Sequence, residues 1–218
     1  LFPKGPIYSF FQSDDVEKLI NNQMGGKIGL ENMPEKGERL NWKSLLTHYS
    51  FFRGSDVNEN VSEISFMPRF NINDNSFFST DVRYEFSQLN VDSSFSFSNH
   101  FFVLNPAYIF NTDVFRFHFG FKITNFTFKD KSLPFADLGV EWYALKEKLT
   151  LFTSLDGSLE PIRLKNLSSE NPYLGKYIPP FYRETPIRYH SGIRLFVNDK
   201  IKFNTHYILS LNSTDYSF

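Results

Sequence analysis

The segment Val114–Ile123, VFRFHFGFKI, alternates with a period of two. Phe115, Phe117, Phe119, Phe121 and Ile123 share one parity, and Arg116, His118, Gly120 and Lys122 share the other. Successive side chains of a strand point to opposite faces, so this is a strand with one nearly all-Phe face and one polar face. The fully buried strands of parallel α/β sheets read instead as solid apolar runs. The function of the chain turns on what lies against the Phe face: a second protein layer, a partner or lipid.

The same alternation recurs. In SEISFMPRFNI, Ile64, Phe66, Phe70 and Ile72 oppose Glu63, Ser65, Arg69 and Asn71. In FFSTDVRYEF, Phe78, Val82, Tyr84 and Phe86 oppose Ser79, Asp81, Arg83 and Glu85. ADLGVEWYAL sets Leu138, Val140 and Trp142 against Asp137, Gly139, Glu141 and Tyr143. IRYHSGIRLFV and IKFNTHYILSL continue it, with Arg188, His190 and Arg194 on the polar face of the first strand and His206 on the same face of the second. Weaker segments lie at 26–33, 39–53, 99–110 and 149–158. Asn and Asp at 73–75, 111–114 and 198–200 suit tight hairpins, as do the charged turn at 145–148 and the looser one at 34–38. The intervening connections, 54–60, 89–98, 128–134 and 159–185, read as longer. The expected fold is all-β: an antiparallel up-and-down meander of about 10–12 long strands. Residues 1–25 are expected to hold a loop and a short helix over 13–23, and residues 26–218 the strands.

Two architectures place such strands. In a soluble sandwich, two sheets bury their apolar faces against each other. In a transmembrane barrel, one sheet turns its apolar face to lipid. The strands 61–72, 76–88, 114–127 and 186–197 favour the barrel. They exceed the ~5–6 residues usual in soluble sheets and match the ~9–11 that cross a bilayer. Short turns alternating with longer loops point the same way. Then Phe115, Phe117, Phe119 and Phe121 face lipid. Arg83, Glu85, Arg116, His118, Lys122, Glu141, Arg188, His190, Arg194 and His206 face a lumen.

Composition removes other classes. The chain has 218 residues and a net charge of −1, so no basic field points to nucleic acid. Its 27 Phe and 11 Tyr coexist with a negative mean hydropathy, which suits two-faced strands. It has no cysteine, hence no disulfide and no thiolate metal site. The five histidines form no HExxH pair, so no metal and no cofactor are expected. No GxSxG elbow or phosphate-cradling loop occurs, and no enzyme is expected. Glu63 and Glu85 should meet across the hairpin at 73–75, with Arg83 neutralising them. The 159–185 connection carries Tyr173, Tyr177, Phe181, Tyr182 and Arg183 among four prolines. These residues are the candidates for contact with a ligand or partner protein. The rival function is a soluble secreted β-sandwich binding module that uses this loop.

The segment LEPIRLKNLSSENPYLG, followed by a strand beginning TPIRYHSGIRLF, resembles the C-terminal part of Bacteroidetes outer-membrane barrels of the TonB-dependent-receptor-like kind. The resemblance covers about residues 40–218. It implies a Gram-negative outer-membrane location, outer-membrane lipid and other outer-membrane or periplasmic proteins as partners, and a receptor- or porin-like role toward a solute. A structural place in an outer-membrane complex is the other role it implies. No plug domain and no TonB-contacting box can be read in the chain, so powered import is not implied for it. The strand after 198–200 heads toward the long-loop side. At least one closing strand is therefore expected beyond these, in a barrel of even strand number.

Overall fold

The computed structural model describes residues 21–32, 39–54, 57–91, 95–126, 132–145, 148–170, 181–198 and 201–213. They form ten strands and one short helix. In order these are β1 (Asn21–Glu31), β2 (Leu40–Arg53), β3 (Val57–Asn73), β4 (Ser76–Val91) and β5 (Phe95–Asn111). There follow β6 (Phe115–Phe126), β7 (Ser132–Tyr143), β8 (Leu149–Ile162), α1 (Leu164–Glu170), β9 (Phe181–Asn198) and β10 (Ile201–Ser213). All ten strands pair antiparallel with their sequence neighbours in one sheet, with β1 and β10 at its edges. This is the expected meander. Among the described residues no second sheet covers the apolar face, so the sandwich architecture is not formed.

Several boundaries differ from expectation. β1 begins at Asn21, inside the segment expected to be loop and helix; residues 13–20 lie outside the described residues. Strands β3, β4 and β5 run farther than expected, which reduces two of the longer connections to residues 54–56 and 92–94. The cause is a cross-strand amide and hydroxyl network in stretches whose Asn and Ser content reads as loop. Asn90 Nδ2 donates to Asn58 Oδ1 at 2.9 Å, Ser96 Oγ to Asn90 Oδ1 at 2.7 Å and Ser50 Oγ to Asn60 Oδ1 at 2.7 Å. Gly54, directly after β2, stands at φ 62°, in the left-handed region that glycine enters without steric cost. Finally, β8 reaches Ile162 and β9 starts at Phe181, so the long connection shrinks to 163–180 and contains α1.

The sheet is strongly curled. Phe101 on β5 and Tyr182 on β9 are four strands apart, about 19 Å in a flat sheet. Their rings stack with centroids 6.4 Å apart. Glu59 on β3 lies 3.8 Å from Arg163, which follows β8. Side chains from distant strands therefore meet on one inward face. The sheet is also sheared. One hydrogen-bonding ladder runs Asn41, Arg69, Ser79, Ala107, Gly120, Asp137, Asp156, Arg188, Ser210. It starts beside Leu40, which opens β2, and ends nine residues beyond Ile201, which opens β10. Eight residues of climb in eight steps is about 26 Å over about 38 Å, a strand tilt of about 35°, within the ~35–45° range of barrels.

The strand ends that flank 74–75, 112–114, 146–147 and 199–200 lie at one rim, the turn rim; the end of β8, α1 and the start of β9 lie at the other, the loop rim. Within β6, Gly120 sits among the polar residues for a packing reason. A Cβ there would stand 2.9 Å from the Pro106 carbonyl oxygen of β5.

Candidate functional site

The inward face is the candidate site. It collects nearly every residue expected to line a lumen, and it is layered.

At the loop rim, α1 folds onto the inward face. Leu164 packs with Phe51, Val57, Leu89 and Val91 from β2, β3 and β4. Beside them Phe101, Val103, Phe126, Phe135, Leu159 and Tyr182 form a second cluster, drawn from every strand from β5 to β9. The Phe126 and Tyr182 rings lie 4.2 Å apart. Between the clusters Arg163 forms ion pairs with Glu59 and Glu85. Burial pulls the Arg163 guanidinium below its usual pKa, and Glu59 beside it pulls the other way. Glu63 and Glu85 do sit opposite each other, as the hairpin predicts. Arg83 is not the neutralising group, however. It pairs with Asp81 on its own strand, at 3.3 Å, while Glu85 pairs with Arg163.

The middle layer is a set of partly exposed pairs. His118 Nε2 lies 3.2 Å from Asp137, which also accepts from Asn105 Nδ2 at 3.0 Å. Arg188 binds Asp156 through two donors, Nε at 2.8 Å and Nη2 at 3.1 Å. Arg194 Nη1 donates to Glu141 Oε1 at 3.3 Å, and Tyr143 donates to the other carboxylate oxygen at 3.1 Å. Lys122 Nζ reaches across β7 to the Gly157 carbonyl at 3.2 Å, where β8 shifts register. His190 and His206 are diagonal neighbours, with ring centroids 5.5 Å apart and nearly perpendicular. No group of three or more His, Asp or Glu among the described residues is arranged to hold a metal ion. Toward the turn rim, Phe77, Ala107 and Ile109 form a small apolar cluster, and the Arg69 guanidinium lies 3.6 Å from the Phe77 ring centre. Arg116 is exposed near this rim, opposite Glu141 in register.

The outward face is the reverse. Phe115, Phe119 and Phe121 are exposed, Phe119 to 52%, and Phe117 stacks between Phe115 and Phe119. Ile64, Phe66, Phe70, Phe78, Leu138 and Trp142 are exposed on the same side.

The loop candidates separate. Phe181, Tyr182 and Arg183 belong to β9 rather than to a loop. Tyr182 is buried inward, and Arg183 is exposed. Tyr173 and Tyr177 lie outside the described residues. Sequence reasoning missed Arg163, Glu59 and α1. The leucines at 164 and 167 are the one helical signal, and two are too few to reveal a period of 3.6.

No family model matches the chain, and no curated protein matches it. Among solved structures it is similar to the translocator domain of the autotransporter NalP from Neisseria meningitidis. That match has 13% identity and a TM-score of 0.36, over 88% of this chain and 75% of that one. It is also similar to the β domain of the Bordetella autotransporter Brka, at 10% identity and a TM-score of 0.41, over 90% of this chain and 86% of that one.

Proposed function

We propose that this chain is the wall of an outer-membrane β-barrel, with its aromatic face in lipid and its charged face in a closed interior. The observation that carries this is the arrangement of the two faces in a curled and tilted sheet. Exposed large apolar side chains recur along the outward face, while ion pairs and buried carboxylates lie inward. In water that outward surface is an association hazard far larger than a soluble monomer shows. In a bilayer it is the required surface, provided strands pair with the edges of β1 and β10, because hydrocarbon tolerates no open edge.

The interior supports an anchoring or assembly role better than a porin-like one. Two apolar clusters, α1 and the Arg163 ion pairs fill the loop-rim half, and paired charges occupy the middle. A barrel of about this strand number has little interior to spare once side chains fill it. The Gram-negative outer membrane is the bilayer in which such barrels are at home, in keeping with the sequence resemblance. No side chain is assigned a catalytic role.

The test has two parts. After expression with an outer-membrane targeting signal, the protein should stay in the membrane pellet through carbonate washing and need detergent to remain monodisperse. Reconstituted in planar bilayers, it should show no steady open conductance. A protein monodisperse without detergent contradicts the membrane assignment, and a large stable conductance contradicts the closed interior.

A further inference from the structure

The outward face is not apolar along its whole length. Moving from the turn rim toward the loop rim, six of the strands change character. On β3 the outward series Ile72, Phe70, Phe66, Ile64 gives way to Ser62, Asn60 and Asn58. On β4 Phe78, Val82, Tyr84 and Phe86 give way to Gln88 and Asn90. On β5 the change falls between Phe102 and His100, on β6 between Ile123 and Asn125, and on β7 between Pro134 and Ser132. On β9 it falls between Ile187 and Thr185.

These switches lie at one height. The apolar stretches Ile64–Asn73, Ser76–Phe86, Phe102–Asn111, Pro134–Tyr143 and Ile201–Leu211 are each close to the ~9–11 residues that a tilted strand needs to cross hydrocarbon. Their ends also follow the tilt. Counted from the ladder that joins Asn41 to Ser210, the last apolar residue stands five beyond Arg69 on β3 and three beyond Gly120 on β6. On β10 it stands one beyond Ser210. The switch descends around the sheet as the ladder climbs, which is what a level plane does when it cuts tilted strands.

Beyond that plane the strands do not stop. On β2 to β5 they continue as a collar in which Ser50, Asn58, Asn60, Gln88, Asn90 and Ser96 are joined by hydrogen bonds. None of the six carries a formal charge. Hydrocarbon would penalise such amides and hydroxyls, each retaining unused donors or acceptors.

We infer that this plane is the edge of the hydrocarbon, and that the collar beyond it stands in the headgroup layer of the bilayer. The collar is continuous with the lipid-facing band below it. Its neutral amides and hydroxyls hydrogen-bond to headgroup oxygens and their water without requiring an anionic lipid. This rests on the membrane assignment above and adds to it the depth of each strand.

The chain has no cysteine, so single substitutions carry a probe to one site. Phe66→Cys, Phe102→Cys, Asn60→Cys and Ser96→Cys, each labelled with an environment-sensitive fluorophore, would be reconstituted into phosphatidylcholine vesicles. One set carries mid-chain brominated tails and the other a headgroup spin label. The labels at 66 and 102 should be quenched several-fold more by brominated tails than those at 60 and 96. The order should reverse with the headgroup quencher. Equal tail quenching at all four positions overturns the collar while leaving the membrane assignment intact. No tail quenching at 66 or 102 overturns both.

Discussion

Two groups of ion pairs occupy the same inward face and differ in how much water reaches them. At the loop rim the side chains of Arg163 and Glu59 are only 11% and 6% exposed, sealed by α1 and by apolar clusters on either side. In the middle layer those of Arg188 and Asp156 are 39% and 23% exposed, and those of Arg194 and Glu141 are similarly open. The chemistry is the same, yet the energetic roles differ. Removing one member of a sealed cluster leaves buried carboxylates without a counter-charge, whereas water and ions take over the work of an open pair. The loop-rim group is therefore structural, a clasp holding α1 against the wall. The middle group tolerates change.

The sharpest way to break this comparison is Arg163→Ala. It should destabilise the folded protein by about 3–5 kcal/mol, the cost of stranding buried charge. Urea unfolding from detergent micelles measures it. A loss near that of an exposed pair would show that water already reaches Glu59 and Glu85. Next in size is Phe119→Arg on the opposite face, where a mid-bilayer charge should cost ~2–4 kcal/mol and lower the yield of assembled protein. Pulse-labelled assembly assays would read this, and unchanged assembly would argue against lipid at that position. Smallest is Arg188→Ala, expected to cost ~0.2–1 kcal/mol, with an effect that shrinks further as salt rises. If Arg188→Ala equals Arg163→Ala, the distinction between the two layers is lost.

Much of this was legible in the sequence, for a physical reason. Strand periodicity is local, so Phe115 to Ile123 displays its two faces without any knowledge of the fold. The Asn-Asp turn at 73–75 likewise fixes the meeting of Glu63 and Glu85, because hairpin register depends on the turn. What could not be read is what the curl brings together. Arg163 meets Glu59 and Glu85 only because five strand steps fold back on themselves, and nothing near residue 163 encodes that closure. Arg83, two residues from Glu85, looked like its natural partner, yet it pairs with Asp81. The outer halves of β3 to β5 were missed for a related reason. Asn58, Asn90 and Ser96 are turn-formers by preference, and only their bonds to one another make them strand residues.

The central claim is that alternate residues of one strand face lipid and interior. A nitroxide scan of residues 115–123 in reconstituted vesicles tests it most directly, with collisional access measured to oxygen and to a water-soluble nickel complex. Oxygen, which concentrates in lipid, should reach 115, 117, 119 and 121 best, and the nickel complex should be excluded from them. Positions 116, 118 and 122 should show less oxygen access, giving a period of two. Nickel access at 117 and 119 equal to that at a water-exposed control, or no period of two, would contradict a lipid-facing Phe stripe.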